Sequence, residues 1–254
     1  MAQTYTVTVL LDVNRIQDVD DRAESRSYIV ADCQSRKAII IDAILENVDR
    51  DLRIVKELGL TLLYAIETHI HADHITGASV IKERAGARIL YGGGAEGTVT
   101  GADGFLLDGQ ELQLGHTLLR AMATPGHTQG CTSYVLQGAV FTGDTLFIRS
   151  NGRTDLQGGS SEQLFDSVRV KLFGLGDETI VYPGHDYNGR VSSTIGEEKR
   201  FNERLNLSID KAAFIAMMNG RHGPPPAQMD IAIPANMRAG RLPEARTRGA
   251  ASAE

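Results

Sequence analysis

Short apolar runs separated by polar breaks dominate the first 190 positions of the chain. Near the amino terminus the runs "YTVTVLL", "RSYIVAD" and "KAIIID" predict β-strands, because they are rich in β-branched residues. A helix is predicted for "NVDRDLRIVKELG", in which apolar residues recur at helical spacing before Gly59. The run "TLLYAIET" is almost continuously apolar, which is typical of a strand buried on both faces.

The following positions alternate between the same two kinds of element. "GASVIKERAG" predicts a short helix and "ARILY" a strand, whereas "GFLLDGQELQLGHTLLRAMATPG" predicts short antiparallel strands with turns at Gly and Asp. "CTSYVL" and "AVFTGD" predict two more strands, followed by a helix in "SSEQLFDSVRVKLFGL" and a strand in "ETIVYPGHD". This order predicts an α/β sandwich in which sheets pack together and helices cover the outside.

The composition of the chain changes towards its carboxyl end. Residues 1–190 are predicted to form one domain, and residues 191–244 a helical and extended segment packed on it. Within that segment the Pro-rich "GPPPAQMDIAIPANM" is expected to be extended. The last residues, 245–254, read "ARTRGAASAE" and are predicted to be disordered, because they are small and polar.

Composition and charge narrow the range of partners. The 254 residues are 42% hydrophobic and 23% charged, as in ordinary folded proteins, and the net charge of −6 argues against nucleic acid and anionic membranes as partners. No apolar run has membrane-spanning length, and the first residues lack signal- or transit-peptide features, so a cytoplasmic location is expected. Cys33 and Cys131 are predicted to be buried thiols rather than a disulfide pair or a nucleophile.

The stretch "ETHIHADHITG" concentrates metal-binding residue types just beyond the buried strand. His69 and His71 are two positions apart, so their side chains point to the same side if the chain stays extended. Asp73 and His74 follow in the loop or in the first turn of the next helix. Imidazole and carboxylate groups gathered at a strand end are typical metal ligands, and a solvated polar loop is the plainer alternative.

The same pattern recurs at three later strand ends. "TPGHT" places His127 in a Pro-Gly turn, "FTGD" places Asp144 at the end of an apolar strand, and "YPGHD" places His185 after another strand. Four such junctions predict ligands that converge at one edge of the sandwich, as in catalytic metal sites.

These motifs also carry a resemblance to a known family. "THIHADH", "TPGHT", "TGD" and "GHD", in this order, resemble the metallo-β-lactamase superfamily. Within it, "THIHADHITG", "TGDTLFIRSNGRTDLQGGS", "YPGHDYNGR" and "MDIAIPANMR" are similar to the persulfide dioxygenases, or sulfur dioxygenases. The resemblance implies an αββα sandwich whose catalytic domain spans residues 1–190, with a short C-terminal tail. It also implies an enzyme with one iron(II) per chain that oxidises glutathione persulfide to sulfite and glutathione, using dioxygen.

Two functions share this ligand set, and spacing does not separate them. For a dioxygenase, the resemblance implies that His69, His127 and Asp144 hold the iron. It also implies that four neighbours orient these ligands by hydrogen bonds, namely His71, Asp73, His74 and His185. A hydrolase like glyoxalase II would use all seven residues to hold two metals, and a metal-bound hydroxide would attack a thioester. The context "GRTDLQGG" resembles the dioxygenases, since glyoxalase II enzymes typically carry an aromatic pair after Gly-Arg.

Glutathione carries two carboxylates, so a cationic side chain is expected near the substrate. Arg153 in "GRTD" offers a bidentate fork for a carboxylate, and an ion pair with Asp155 or another acid is the alternative. The resemblance implies that Tyr187 lies near the substrate or the iron, and it places Tyr187, His71 and Asp73 among the catalytic residues. A homodimer is expected from the resemblance alone.

Overall fold

The computed structural model describes residues 4–13 and 24–242. Its strands are Tyr5–Val13 (β1), Glu24–Asp32 (β2), Lys37–Ile41 (β3), Thr61–Ile66 (β4), Arg88–Gly92 (β5), Gly104–Leu106 (β6), Glu111–Leu114 (β7), Thr117–Ala123 (β8), Thr132–Leu136 (β9), Ala139–Gly143 (β10), Ile180–Pro183 (β11) and Ser193–Thr194 (β12). Its α-helices are Val48–Glu57 (α1), Ala78–Ala85 (α2), Ser161–Asp166 (α3), Ile195–Phe201 (α4), Lys211–Asn219 (α5) and Met229–Asn236 (α6). A π-helical turn, Ser167–Lys171, and a 3₁₀ turn, Leu172–Gly174, continue α3, and shorter 3₁₀ turns lie at Leu45–Asn47 and Gly93–Ala95.

The strands form two six-stranded sheets that follow one another along the chain. The first sheet has the order β1-β2-β3-β4-β5-β6, and the second has the order β12-β11-β10-β9-β8-β7. In the first sheet β3 to β6 run parallel to one another, and in the second β10 and β11 are parallel. The remaining neighbours are antiparallel.

Apolar side chains form three layers that hold the sandwich together. Between the sheets, Tyr28 and Ile39 of the first sheet belong to one cluster with Tyr134 and Phe141 of the second. The alternate residues of the first sheet, such as Ile40, pack outwards in a cluster with α1 and α2, and the second sheet packs outwards on α3 and α5. The αββα sandwich is therefore confirmed, with helices on both outer faces.

Strand β4, which precedes the histidine cluster, is packed on both faces as its apolar run predicts. Ala65 is part of the cluster shared with the outer helices, and Ile66 is part of the cluster between the sheets. Both side chains are fully buried, which fixes the position from which the following loop departs.

The helices begin and end at residues that satisfy their free backbone groups. Ser160, Thr194 and Asp210 precede α3, α4 and α5, and the side chain of each accepts a hydrogen bond from the backbone N–H three residues later. Helix α2 ends at Gly86, whose φ of +70° lies in the left-handed region that glycine adopts without strain.

One strand pairs differently from the sequence-based expectation. Residues 104–106 were predicted to be antiparallel, but β6 joins the first sheet parallel to β5. Asp103 explains this, because its backbone N–H donates to the Ile89 carbonyl at 2.7 Å and its Oδ2 accepts the Ile89 N–H at 2.8 Å. These bonds place the first residues of both strands side by side. The antiparallel prediction is correct for β7 and β8.

The C-terminal segment also differs from the expectation. "MDIAIPAN" was predicted to be extended, yet it forms helix α6 with Pro234 inside it. In an eight-residue helix Pro234 removes only the hydrogen bond to Asp230, and burial of Ala232 and Ala235 against Ile75 stabilises the helix. The domain boundary at residue 190 stays a prediction, and the predicted disordered tail, residues 245–254, lies outside the described residues.

The two cysteines have different environments. Cys131 is buried as predicted, and burial raises the pKa of its thiol to about 11. Cys33 is exposed, so the prediction that it is buried was wrong, because it lies in the turn that follows β2. Both thiols are free. Among the helices of residues 4–13 and 24–242, none combines the length and apolar character that crossing a membrane requires.

Candidate metal centre

Four loops that leave the carboxyl ends of strands meet at one edge of the sandwich. His69 follows β4, His127 follows β8, Asp144 follows β10 and His185 follows β11. The ligand atoms of His69, His127 and Asp144 all lie within 4.8 Å of one another, and the three side chains are buried. His185 is adjacent, since its Nε2 lies 3.6 Å from Asp144 Oδ1. The structure thus brings the four junctions together.

Hydrogen bonds to the Nδ1 atoms of His69 and His127 define the tautomers of the two imidazole rings. The hydroxyl of Thr68 donates to Asp42 Oδ2 at 2.7 Å, so its oxygen accepts the Nδ1–H of His69 at 3.0 Å. Nδ1 of His127 donates to the backbone carbonyl of Arg153 at 2.7 Å. Both rings therefore carry the lone pair on Nε2, which is the form in which imidazole binds a metal.

The charge state of His69 also suits a metal ligand. Burial lowers the pKa of His69 well below its ordinary value, and charge repulsion from His71 and His127 lowers it further. The ring centroid of His69 lies 4.1 Å from that of His71 and 4.9 Å from that of His127. His69 is consequently neutral at physiological pH, as metal binding requires.

His71, Asp73 and His74 form a second group of potential ligands, whose ligand atoms also lie within 4.8 Å of one another. Asp73 Oδ2 is hydrogen-bonded at 3.0 Å to the Ser25 hydroxyl and to His74 Nδ1, and it lies 3.7 Å from His185 Nε2. Burial would raise the pKa of Asp73, but His74 and then His185 hold it well below its usual range. An ionised carboxylate therefore lies between the imidazoles of His74 and His185.

Two buried acids behind the histidine loop were not singled out from the sequence. His71 Nε2 lies 3.2 Å from Asp42 Oδ1 and 3.3 Å from Glu67 Oε2. Burial would lower the pKa of His71, but these carboxylates raise it well above its ordinary value. Asp42 also accepts the backbone N–H of Thr68 at 2.7 Å, and it has a φ of +54°, a left-handed backbone that costs roughly 1–3 kcal/mol. A signal was available, because Asp42 and Glu67 each directly follow a strand.

Several buried polar atoms of this region have no hydrogen-bond partner among the described residues, including Asp144 Oδ1, His74 Nε2 and His185 Nδ1. A buried polar atom without a partner costs about 1–3 kcal/mol, and a bound cation with its water would remove that cost. Gly184 lies directly against the carboxylate, since a Cβ there would stand 2.4 Å from Asp144 Oδ1. A side chain at position 184 would therefore occupy the space beside the carboxylate. The nitrogen and carboxylate donors fit a divalent transition metal.

Tyr187 lies at the rim of the cluster and is 55% exposed. Its ring is stacked parallel to that of His185, with 6.1 Å between the centroids, and it meets the edge of Phe147 at 6.3 Å. An exposed phenol beside a buried imidazole is well placed to contact a ligand that enters from solvent.

Arg153 is engaged with partners from the protein. Its Nε and Nη2 pair with the two carboxylate oxygens of Asp155 at 2.7 and 2.8 Å. Its Nη1 and Nη2 donate to the carbonyls of Pro224 and Gly223, both at 2.8 Å. The ion pair that the sequence left as an alternative is thus present, and substrate binding by Arg153 stays a prediction.

A second cation near Tyr187 was not recognised in the sequence. Arg204 is half-buried, and its Nη1 donates to the Asn151 carbonyl at 3.2 Å. Burial lowers the pKa of Arg204, as does the charge of Arg221, whereas Tyr187 acts in the opposite direction. No local pattern marks this residue, because it belongs to the loop after α4, far along the chain from the metal-binding motifs.

The loop that carries His185 and Tyr187 is held against strand β2 by Arg26. Arg26 is 2% exposed, donates through Nη1 to the Val191 carbonyl at 2.8 Å, and has Nη2 3.6 Å from Asp186 Oδ2. Asp186 also accepts two backbone N–H groups of its own loop. This buried network positions His185 beside the other three junctions.

Comparison with known proteins gives a consistent family. The model of the metallo-beta-lactamase superfamily matches residues 21–185. The chain is 44% identical to "Persulfide dioxygenase ETHE1, mitochondrial" of Bos taurus and 43% identical to that of Homo sapiens, each over 84% of both chains. The crystal structure of ETHE1 from Myxococcus xanthus superimposes with a TM-score of 0.86 at 41% identity, covering 93% of this chain and all of the other.

The matched residues include all four strand-end junctions, and the relatives share most of their length with this chain. The structural match to the Myxococcus xanthus protein covers 93% of this chain, so it extends beyond the sandwich into the region after residue 190. The chain therefore belongs to the metallo-β-lactamase superfamily and, within it, to the persulfide dioxygenase family.

Proposed function

We propose that the protein is an enzyme that oxidises glutathione persulfide to sulfite and glutathione with dioxygen, at one iron(II) per chain. The observation that carries the proposal is the buried set His69, His127 and Asp144, in which two imidazoles present Nε2 lone pairs beside a carboxylate. Relatives named persulfide dioxygenase, 44% and 43% identical to this chain over 84% of its length, also support the proposal.

The proposed reaction balances without a further oxidant. Glutathione persulfide, dioxygen and one water give glutathione, sulfite and two protons. The S–S bond breaks, the terminal sulfur is oxidised to sulfite while the glutathione sulfur is reduced to a thiol, and dioxygen accepts the net four electrons. Water supplies the third oxygen of sulfite, and the glutathione sulfur leaves as a thiol.

The three proposed ligands suit iron(II). Two neutral imidazoles and one carboxylate supply a single negative charge, and they occupy one side of an ion. Bound there, iron(II) would supply the redox chemistry and the open positions at which the persulfide sulfur and dioxygen meet. Burial of the three side chains keeps bulk water from competing for these positions.

Four neighbouring residues are proposed to orient the ligands, namely His71, Asp73, His74 and His185. Their contacts support this role, because His185 Nε2 lies between Asp73 Oδ2 at 3.7 Å and Asp144 Oδ1 at 3.6 Å. His71 is held from behind by Asp42 and Glu67. Polar contacts around a metal ligand direct its lone pairs and tune its basicity. The catalytic roles predicted for His71 and Asp73 are therefore proposed to consist of orienting the metal ligands.

Tyr187 is proposed to contact the substrate at the entrance. Tyr187 is 55% exposed, its hydroxyl can donate a hydrogen bond to a carboxylate of the substrate, and its ring packs parallel to that of His185. Arg204, whose charge interacts with Tyr187, would add a cation for a glutathione carboxylate.

Arg153→Ala tests the cation that the sequence led us to expect near the substrate. We expect the variant to lower the midpoint of thermal unfolding, because it removes the pair with Asp155 and two hydrogen bonds that hold residues 223–224. Thermal unfolding and steady-state kinetics with glutathione persulfide would be measured together. A tenfold rise in KM with unchanged stability and iron content, equivalent to about 1.4 kcal/mol, would instead assign the guanidinium to a substrate carboxylate.

The alternative function is a binuclear thioester hydrolase like glyoxalase II. The group of His71, Asp73 and His74 supports it, because its ligand atoms are close enough to hold a second ion. In that reaction a metal-bound hydroxide would attack a thioester, and dioxygen would have no part.

An oxygen electrode separates the two functions. The iron-loaded protein is expected to consume dioxygen only after glutathione persulfide is added, and to form one sulfite per dioxygen consumed. Glutathione and glutathione disulfide, which lack a terminal persulfide sulfur, serve as matched controls and should cause no uptake. Rapid hydrolysis of S-lactoylglutathione without oxygen uptake would contradict the proposal.

Three further expectations about the setting of the enzyme stay predictions. A homodimer is expected from family resemblance, and nucleic acid and membranes are not expected as partners because of the net charge of −6. We also retain the cytoplasmic location, although the names of the Bos taurus and Homo sapiens relatives specify mitochondria. Cell fractionation with an antibody against the protein would decide the compartment.

A further inference from the structure

One buried side chain of the C-terminal helix contacts the histidine loop directly. Asn236, the last residue of α6, is 1% exposed. Its Nδ2 donates to the backbone carbonyls of His71 at 2.9 Å and His74 at 2.8 Å. Its Oδ1 accepts the backbone N–H of Thr76 at 2.9 Å. The partners lie 160 or more positions away in the sequence.

The polarity of these contacts matches an asparagine. The side chain supplies two N–H donors to two carbonyls and one oxygen to one N–H, so all three bonds have the correct direction. Aspartate would retain the acceptor but would turn a charged oxygen towards the two carbonyls. An apolar residue would leave three buried backbone groups without these partners, which is unfavourable because each group has lost its hydrogen bonds to water.

The bonds restrain the half of the loop that carries Asp73 and His74. A hydrogen bond to a carbonyl or an N–H restricts the rotation of its peptide plane. The three bonds therefore act on the peptide groups after His71, after His74 and before Thr76. These planes set the directions in which the intervening side chains leave the backbone.

Helix α6 is held in place by other contacts as well. The carbonyl of Met237 accepts the N–H of Thr100 at 2.7 Å, and the carbonyl of Ala239 accepts the N–H of Ser79 at 3.2 Å. Gly240 touches the loop, since a Cβ there would stand 2.1 Å from the Thr76 carbonyl oxygen. Loss of the Asn236 amide would thus leave the helix docked, and its effect on the loop can be measured separately.

We propose that Asn236 is a positioning residue for the metal centre, through which the C-terminal helix sets the geometry of the loop from His69 to Thr76. This inference rests on the metal centre proposed above. The helix contributes no proposed ligand, yet its Asn236 amide couples metal binding to the order of the helix.

Replacement of the amide tests the proposal with a metal probe. Asn236→Ala is expected to bind cobalt(II) about 10–100-fold more weakly in competition with a chelator, because removal of groups that orient ligands has this effect. The d–d absorption bands of the bound cobalt(II) should shift as well. Tyr91→Phe is the matched control, since it removes a 3.4 Å hydrogen bond to the backbone carbonyl of Asn236 and leaves the side-chain bonds intact.

Equal cobalt(II) affinity and identical spectra in Asn236→Ala and the parent, with only a lower unfolding midpoint, would overturn the proposal. Such a result would make Asn236 an anchor of the helix alone. A parent protein that binds no cobalt(II) would instead contradict the metal centre itself, and with it this inference. The two failures are therefore distinguishable.

Hydrogen exchange in the unaltered protein provides a test that does not depend on folding of a variant. Loading the metal-free protein with cobalt(II) is expected to slow amide exchange in residues 69–77 and, in parallel, in residues 229–240. Slower exchange confined to residues 69–77 would show that the helix is not coupled to the centre, and would also overturn the proposal.

Discussion

Alanine at any one of the three proposed ligands, His69, His127 or Asp144, is expected to abolish both metal retention and oxygen uptake. Each replacement leaves only two ligand residues from the protein, which are too few to hold the metal ion. His185→Ala is expected to retain the metal at about 10–100-fold lower affinity, because His185 contacts the carboxylate of Asp144 from outside the set. Metal analysis of proteins purified without added metal, together with an oxygen electrode, makes the measurement.

A histidine outside the site provides the control for these variants. The side chain of His116 is 64% exposed and lies 3.5 Å from Asp32, so His116→Ala should retain both metal and activity. A fall from two ions per chain to one in His185→Ala would contradict the single iron centre. That result would favour the binuclear hydrolase, in which His185 belongs to the second metal site.

Exchange of iron for zinc is expected to leave the fold intact and the oxygen uptake absent. Zinc accepts the same imidazole and carboxylate ligands, so the site should fill. It has no accessible redox state, so it cannot exchange electrons with dioxygen or the persulfide sulfur. Circular dichroism and thermal unfolding would verify the fold, and oxygen uptake and thioester hydrolysis would be followed on the same zinc- and iron-loaded samples.

The zinc-loaded protein also tests the alternative function. A thioester hydrolase would be active with zinc, because a metal-bound hydroxide needs only a Lewis acid. Rapid hydrolysis of S-lactoylglutathione by the zinc form, with no oxygen uptake by the iron form, would overturn the dioxygenase proposal. Iron restored to the zinc-stripped sample should recover oxygen uptake, which controls for damage during the exchange.

The sequence predicted the strands and helices of the sandwich because its apolar periodicity is a local property. Strand β4 illustrates this, since an almost unbroken apolar run must be covered on both faces, and the structure covers it with helices and with the second sheet. The strand-end residues His127, Asp144 and His185 were recognised for the same reason. Each lies a few residues or fewer beyond a strand end that the pattern marks.

Predictions that depended on a distant partner were less successful. Strand β6 was assigned to the wrong kind of pairing, because the bonds between Asp103 and Ile89 that make it parallel join segments 14 positions apart. Helix α6 was expected to be extended because of Pro234 and the three prolines that precede the helix. Its stability comes from burial of Ala232 and Ala235 against Ile75, a contact that no local pattern contains.

The roles of individual polar side chains depended most on tertiary contacts. Arg153 has the charge for a substrate carboxylate, and its pair with Asp155 was foreseen because the two residues are neighbours in the sequence, but only the fold brings Gly223 and Pro224 to its guanidinium. Asn236 lies in the stretch "MDIAIPANMR" that carries part of the family resemblance, but nothing in that stretch reveals the partners of its side chain. The hydrogen bonds of its side chain form only where folding brings α6 against the histidine loop.

By itself, the sequence determined the elements, the family resemblance and the four junctions at which candidate ligands lie. Hydrophobic periodicity and strand-end motifs are encoded within a few neighbouring residues, so they can be recognised without the fold. The tertiary structure decided which candidates share one cluster, which Nε2 atoms carry lone pairs, and which side chains hold the loop from behind. Hydrogen-bond direction and distance exist only between groups that folding brings together, and the partners of His127 and of the His71 carbonyl are 26 and 165 positions away.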